Sequence, residues 1–241
     1  MTLIVDALNR AGRECSVTQP DSWITATSLA HTELRDDFLM ETVDEIADRV
    51  DLPSPIGKQQ VITGDGSEDY ALASDFKRLT RDPMSVYETT TTRRAGVPVL
   101  TDGAWTHLEN IGSAGAYRYY RLQGYDGNFT IGFFANPSTS VSITVSYVSN
   151  LWMATAAGTA GVAFTDATDV LLMPRRVVEL GIVWRFRKRK GLQYGDVLAE
   201  YESHLERLTT DARAVKVIGF GESGQDYKPM RVPVPDYIPA S

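Results

Sequence analysis

The spacing of apolar positions is helical near both ends of the chain and alternating in the middle. In "TLIVDALNRAG", Leu3, Val5, Ala7, Leu8 and Ala11 follow partial helical spacing, and Gly12 is the expected stop. A firmer helix is predicted from Thr27 to Asp51. There Leu39, Val43, Ile46 and Val50 follow steps of four, three and four, and Leu34 and Phe38 extend the stripe backwards. "DLPSP" ends it, because proline lacks an N–H and disfavours helix in the residue before it.

From about residue 58 the period becomes two. "KQQVITGDGSEDYALA" predicts a hairpin, with extended arms around "GDGSED", where glycine adopts positive φ freely. Asp65, Glu68 and Asp69 lie close together there, but without the ligand spacing of a calcium loop. "YALASDFKRL", residues 70 to 79, reads as a strand running into a short helical turn. Tyr70 and Leu72 alternate into the core, Asp75 caps the turn, and Phe76 plugs the seam between two modules. Further on, Tyr119, Arg121, Phe129, Ile131, Phe133, Val141, Ile143, Val145 and Tyr147 fall at period two within their runs. "GYDGN" and "NPSTS" punctuate those runs, which predicts an antiparallel meander.

Helix returns near Pro174, with Val178, Ile182 and Phe186 at steps of four and Gly191 beyond a basic end. Tyr194, Val197, Tyr201, Leu205 and Leu208 form a second stripe, and the short "GLQ" connection predicts that the two late helices pair antiparallel. "GFGESGQDYKPMRVPVPDYIPAS" has four prolines and no helical period, so an extended, polyproline-like segment is expected. The predicted fold is therefore α+β. Residues 1–56 and 170–215 form a helical bundle module from the two ends, 57–169 an inserted antiparallel β domain, and 216–241 an extended C-terminal tail.

Charge sharpens this outline. Residues 21 to 51 carry nine acidic and two basic side chains, whereas five of the six residues from Arg185 to Lys190 are basic. The acidic stretch reads as a solvated face or as a contact with a basic surface on a neighbouring subunit. For "RFRKRK" three readings stand: cations favoured at a helix C-terminus, an ion-paired surface facing an acidic neighbour, and contact with nucleic acid phosphates. The net charge of −7 disfavours wrapping nucleic acid over the whole surface and a DNA-binding regulator. Cys15 is the single cysteine, which excludes an internal disulfide and points to a reducing compartment. The N-terminus lacks the features of a signal peptide, so the Asn128 sequon reads as coincidence, and no run reaches the length of a membrane span.

Candidate chemistry is sparse. His31, His107 and His204 lie in different segments, and there is no P-loop, dinucleotide-binding glycine pattern, nucleophile elbow or HExxH. Neighbouring acids such as Asp36 with Asp37, or Asp44 with Glu45, point apart on a helix. The expectation is a protein that is not an enzyme and needs no cofactor or metal. Trp105, Tyr117, Tyr119, Tyr120 and Tyr125 suggest an alternative, a carbohydrate- or receptor-binding β module carried on helices.

The succession of an N-terminal helix, a long acidic helix, a turn into "YALASDF", a β region with "YYRLQG" and "GFFANPSTSVSITVSYV", and a helical pair resembles the head-to-tail adaptor proteins of tailed bacteriophages and gene transfer agents. In many of these the first phrase looks like Y-x-L-P-x-D-F. This chain matches at Tyr70, Leu72, Asp75 and Phe76, carries Ala73 in place of the proline, and keeps only Pro137 of the P-x-P in the second phrase. The resemblance implies a structural virion protein located in the neck between capsid and tail. It implies a homo-oligomeric, twelvefold ring that docks on the portal protein and forms part of the DNA channel, touching the passing genome. It also implies a platform for the next neck or tail protein, a stopper or tail terminator. Arg185, Arg187, Lys188, Arg189 and Lys190 would then contribute to subunit or portal contacts, and Tyr227, Met230, Val232, Val234, Tyr237 and Ile238 of the tail would anchor the protein to the portal.

Overall fold

The computed structural model describes residues 2–89, 94–112, 117–125 and 127–214, with side chains up to residue 210. The tail positions from Tyr227 to Ile238 lie outside the described residues. The fold mixes α and β, with largely antiparallel sheets.

Helix α1 (Ile4–Glu14) buries Ile4, Ala7, Leu8 and Ala11. Gly12 does not stop it: the helix continues to Glu14, the left-handed residue is Ser16, and Gly12 instead lies against the Trp23 indole. The long acidic helix is a continuous helical run made of α2 (Leu29–Thr32), a π-helical segment (Glu33–Phe38) and α3 (Leu39–Arg49). Ser28 caps its start by accepting from the His31 N–H. The wider π turn lets Phe38 and Leu39, adjacent in sequence, both face the core. Helix α4 (Asp102–Ile111) was not anticipated from apolar spacing, since only Trp105 on it is buried. Its punctuation was nevertheless present: Thr101 accepts from the Ala104 N–H, and Gly112 closes it at φ 68°.

Helix α5 (Arg175–Arg189) is apolar around most of its circumference because it sits in the middle, packed by α1, the π segment, α3 and α6 (Gly195–Ala214). At its crossing with α3, a Cβ on Gly181 would lie 2.2 Å from the Thr42 methyl, so only glycine permits this approach. The expected packing of α5 against α6 is present, with Trp184 facing Tyr194 and Tyr201.

Among the described residues the strands form three sheets. The first joins β1 (Thr2–Leu3) to three short strands described below. The second and third are built from β2 (Gly57–Thr63), β3 (Asp69–Ala71), β4 (Phe76–Leu79), β5 (Val86–Glu88), β6 (Gly96–Pro98), β7 (Arg118–Tyr125), β8 (Asn128–Phe134) and β9 (Ser142–Ser149). β2 pairs with β9 along its whole length, and β4 and β5 share the other edge of β9. β3, β8, β7 and β6 follow one another in the third sheet, β6 parallel to β7. The remaining strands, β10 (Met153–Ala154), β11 (Ala160–Gly161) and β12 (Val170–Leu171), complete the order β1-β12-β10-β11.

The strand pairing departs from the sequence expectations at several points. The arms around "GDGSED" do not form a hairpin, because β2 lies in the second sheet and β3 in the third. The meander holds for the β7–β8 hairpin but breaks after β8, since β9 crosses to the other sheet. "YALASDFKRL" is strand, tight turn, strand: the Phe76 N–H donates to the Ala73 carbonyl, and β4 follows directly with no helical turn. On β7 the inward face is also shifted by one residue: Tyr120, opposite Phe133, enters the core, while Tyr119 and Arg121 lie half-buried on the other face. Period two by itself says nothing about which strand lies beside another, and in an aromatic run such as Tyr117–Tyr120 it does not fix which face is buried.

Two cores result. Ile62, Leu72, Phe76, Val86, Tyr120, Ile131, Phe133, Ile143, Val145 and Tyr147 fill the space between the second and third sheets. The helices share the other core with Val148, Trp152, Met153, Leu171 and Met173. Strand β9 therefore serves both, through Ile143–Tyr147 on one side and Val148 on the other.

Candidate interaction surface

The ten residues from Tyr70 to Leu79 hold the two cores together. Leu72 and Phe76 enter the β core, where the Phe76 ring lies 5.1 Å from that of Phe129 and 5.6 Å from that of Tyr147. Asp75 is not a turn cap. Its carboxylate accepts from Lys58 Nζ at 2.6 Å, Ser149 Oγ at 2.8 Å and Tyr147 Oη at 3.0 Å. Burial pushes the Asp75 carboxyl up, but the Lys58 ammonium and the two hydroxyls outweigh it and hold it below the ordinary range. Tyr147 is in turn pushed up to about 12 by burial and by the carboxylate beside it.

Beyond Phe76 the phrase turns to the helices, so the joint is made by two cations rather than by Phe76 itself. Arg78 donates through Nε to the Ala47 carbonyl (2.9 Å), through Nη2 to the Val50 carbonyl (2.9 Å) and through Nη1 to Asp51 (2.7 Å). It thus supplies donors to carbonyls at the end of α3 that have no partner within the helix. Lys77 pairs with Asp44 at 2.8 Å and Asp48 at 3.3 Å on the same helix.

The basic end of α5 meets the acidic helix of the same chain. Arg185, 9% exposed, pairs with Glu45 and Glu41 and donates to Thr42 Oγ1 and the Gly181 carbonyl, both at 3.0 Å. Arg189 reaches Asp37 at 2.9 Å and Glu33 at 3.5 Å, and Lys190 reaches Glu33 at 2.8 Å. Arg187 donates to the Glu14 carbonyl at 3.3 Å, while Lys188 is exposed with its ammonium 5.6 Å from the Trp184 ring. Of the readings of "RFRKRK", the geometry thus realises the ion-paired one, with the acidic neighbour supplied in cis. Lys188, Arg189 and Lys190 still face solvent; Arg185 and Arg187 are turned inward.

Glu45 is the hub of this network. It accepts from Arg49 of its own helix (2.8 Å), Arg185 of α5 and Tyr201 Oη of α6 (3.0 Å). Burial raises the Glu45 carboxyl, and Arg49, Arg185 and Tyr201 together carry it below its ordinary value. Arg49 also grips both oxygens of Glu202 on α6, at 2.8 and 2.5 Å.

The aromatic residues of the alternative reading are divided. Trp105 and Tyr120 are buried, the indole of Trp105 lying between the Arg121 guanidinium at 4.3 Å and the Phe134 ring at 6.3 Å. Tyr117 and Tyr119 form a ring pair, and Tyr125 at the hairpin tip is 81% exposed. Leu100 and Leu122, with Leu79, Pro98, Val99 and Tyr120, line a cleft of about 260 Å³.

His31 and Cys15 have structural surroundings. His31 bonds the Thr18 carbonyl and Ser28 Oγ, each at 2.7 Å. Burial pushes the Cys15 thiol up to about 12 despite Arg187, which favours the protonated thiol over the thiolate. Among the described residues no group of three His, Cys, Asp or Glu side chains is placed to hold a metal ion, and no helix is long and apolar enough to cross a membrane. Sequence reasoning missed Lys77, Arg78, Thr42 and Gly181; the available signal was two cations directly after the "DF" of a strand phrase, in a chain whose preceding helix is acidic. Comparison with protein-family models finds no match to this chain, and a search of curated proteins finds none either.

Proposed function

We propose that this chain is a structural adaptor of the head-to-tail type. In this reading it is not an enzyme: it forms a ring, twelvefold as in the adaptors it resembles, that docks on a portal protein in the neck of a virion, lines part of the DNA channel and supports the next neck or tail protein. The helices from the two ends form the bundle module, the β region is the insertion it carries, and residues 216–241 are the extended tail that anchors to the portal. The observation that carries this reading is the joint: the phrase matched at Tyr70, Leu72, Asp75 and Phe76 runs straight into Lys77 and Arg78, which tie the β region to the end of α3. A subunit built this way transmits position from one end to the other, as a ring between two machines must. Lys188, Arg189 and Lys190, facing solvent, supply the basic surface for a portal or subunit contact, while Arg185 and Arg187 hold that surface in place.

Light scattering of the purified chain, alone and mixed with its candidate portal, tests the reading. A large closed assembly bound to the portal is the expected result. A monomer indifferent to every portal would discard it and favour the glycan-binding alternative, for which the outward rings of Tyr117 and Tyr125 and the cleft beside Leu100 are the site to probe on a glycan array.

A further inference from the structure

Helix α6 is attached differently from the other helices of its core. Among its described side chains only Tyr201 and Leu205 are fully buried, with Val197, Leu198 and Leu208 partly so. α5, in contrast, is buried on nearly every side and keeps α1, the π segment and α3 as neighbours whether or not α6 is present. The polar contacts of α6 with the other helices gather in one turn. Glu200 accepts from Arg176 of α5 at 2.8 Å, Tyr201 Oη donates to Glu45 of α3, and Glu202 receives the fork of Arg49. Arg176 is shared with Glu14 of α1 at 3.2 Å, and His204 lies 3.8 Å from Glu200. Glu200, Glu202 and Arg49 remain 46%, 45% and 40% exposed, so water and salt reach the outer half of this cluster, whereas Tyr201 is sealed.

We propose that α6 is a releasable arm. Glu200, Tyr201 and Glu202 are its latch on α3 and α5, and opening the latch frees α6 together with the chain that follows it while both cores stay folded. The apolar stripe alone leaves α6 marginal, because two buried side chains oppose the ordering of a twenty-residue helix. The half-exposed ion pairs therefore tip the balance, and ionic strength acts on them directly. The use of the arm, to extend the reach of residues 216–241 toward a portal, rests on the adaptor reading; the release itself does not.

Hydrogen exchange followed by mass spectrometry on the full chain tests this. In Glu200→Gln/Glu202→Gln, amides of residues 197–210 should exchange about tenfold faster than in the parent, the size that two half-exposed ion pairs jointly supply, with α3 and β8 unchanged. Tyr201→Phe, which keeps the ring and removes the hydroxyl, should shift the same amides in the same direction. Raising the salt from about 0.05 M to about 1 M should do so in the parent. Equal acceleration in α3, α5 and α6, or no change in α6 under any of the three, would overturn the proposal. Portal binding is scored separately: selective release without portal binding keeps the arm and discards the adaptor reading, and portal binding without selective release does the reverse.

Discussion

Gly181 is the position where one methyl group decides a helix crossing. Its hydrogen faces the Thr42 side chain, and a Cβ there would approach Thr42 Cγ2 to 2.2 Å and Oγ1 to 2.9 Å. Thr42 is itself fixed, donating to the Phe38 carbonyl at 2.6 Å and accepting from Arg185. Gly181→Ala should therefore cost about 1–3 kcal/mol in urea unfolding despite the higher helix propensity of alanine. Gly103→Ala is the matched control, because nothing lies within 4 Å of its Cβ on α4, and it should be neutral or stabilising by about 0.5–1 kcal/mol. If both substitutions shift the midpoint equally, the close approach of α3 and α5 is wrong. Arg78 and Lys77 make a second contrast. Arg78→Met removes charge-assisted bonds to two helix-end carbonyls and a carboxylate and should cost about 1.5–3 kcal/mol. Lys77→Met breaks pairs whose acidic partners are 69% and 60% exposed and should cost less than about 1 kcal/mol.

At the scale of elements, strand β4 and its turn are held by a charge that titrates. The Asp75 carboxyl lies below its ordinary value in the folded chain, so its stabilisation is complete above the unfolded value, near pH 4, and is lost as the pH falls through the folded one. Glu45 and Glu202, both lowered by their arginine partners, act with the same sign where α3, α5 and α6 meet. Urea midpoints of the parent should fall as the pH is lowered from about 5 to about 3. Asp75→Asn should be less stable than the parent at neutral pH and should show a smaller acid loss, since it no longer carries the titrating group. An equally steep loss in the variant would assign the acid sensitivity to the helical hub instead. The β2–β3 seam belongs to this scale too. The Gln60 carboxamide donates to the Ala71 carbonyl at 3.1 Å and accepts from the Ala73 N–H at 2.9 Å, bridging strands that lie in different sheets. Alanine at residue 73 provides the N–H that Gln60 engages, which a proline there would lack.

For the whole molecule, the two cores are linked by continuous covalent and side-chain paths. β9 places Ile143, Val145 and Tyr147 in one core and Val148 in the other, and Trp152 and Met153 follow immediately into the helical core. Thermal unfolding followed by far-ultraviolet circular dichroism and by tryptophan fluorescence should therefore give coincident midpoints for the main transition of the two cores, any earlier release of α6 appearing as a separate, smaller loss of helix signal, since the four tryptophans of the chain report on both regions. Separate midpoints would show that the joint at Lys77 and Arg78 does not couple the cores. Deleting residues 216–241 should leave this transition in place and, on the proposed adaptor reading, abolish binding to a candidate portal; binding retained by the shortened chain would remove the tail from the proposed anchoring role.

The sequence by itself determined the local elements and their inward faces. The stripe from Leu34 to Val50, the late helices on either side of Gly191, the alternation of β8 and β9 from Phe129 to Tyr147 and the mixed α and β class follow from periodicity and from proline and glycine punctuation, which act within a few residues; in β7 the phase is wrong, since Tyr120 and not Tyr119 enters the core. Only the tertiary structure decided which strands lie side by side, that Asp75 faces Lys58 rather than a helix N-terminus, and that the acidic and basic stretches satisfy each other across more than a hundred residues of chain. Helix α4 marks the boundary between the two: its caps were legible at Thr101 and Gly112, but a helix that buries a single tryptophan has no apolar stripe to read. Apolar spacing records how a residue sits on its own element. Partner choice depends on loop closure, complementary charge and steric fit between distant segments, and those are properties of the assembled chain.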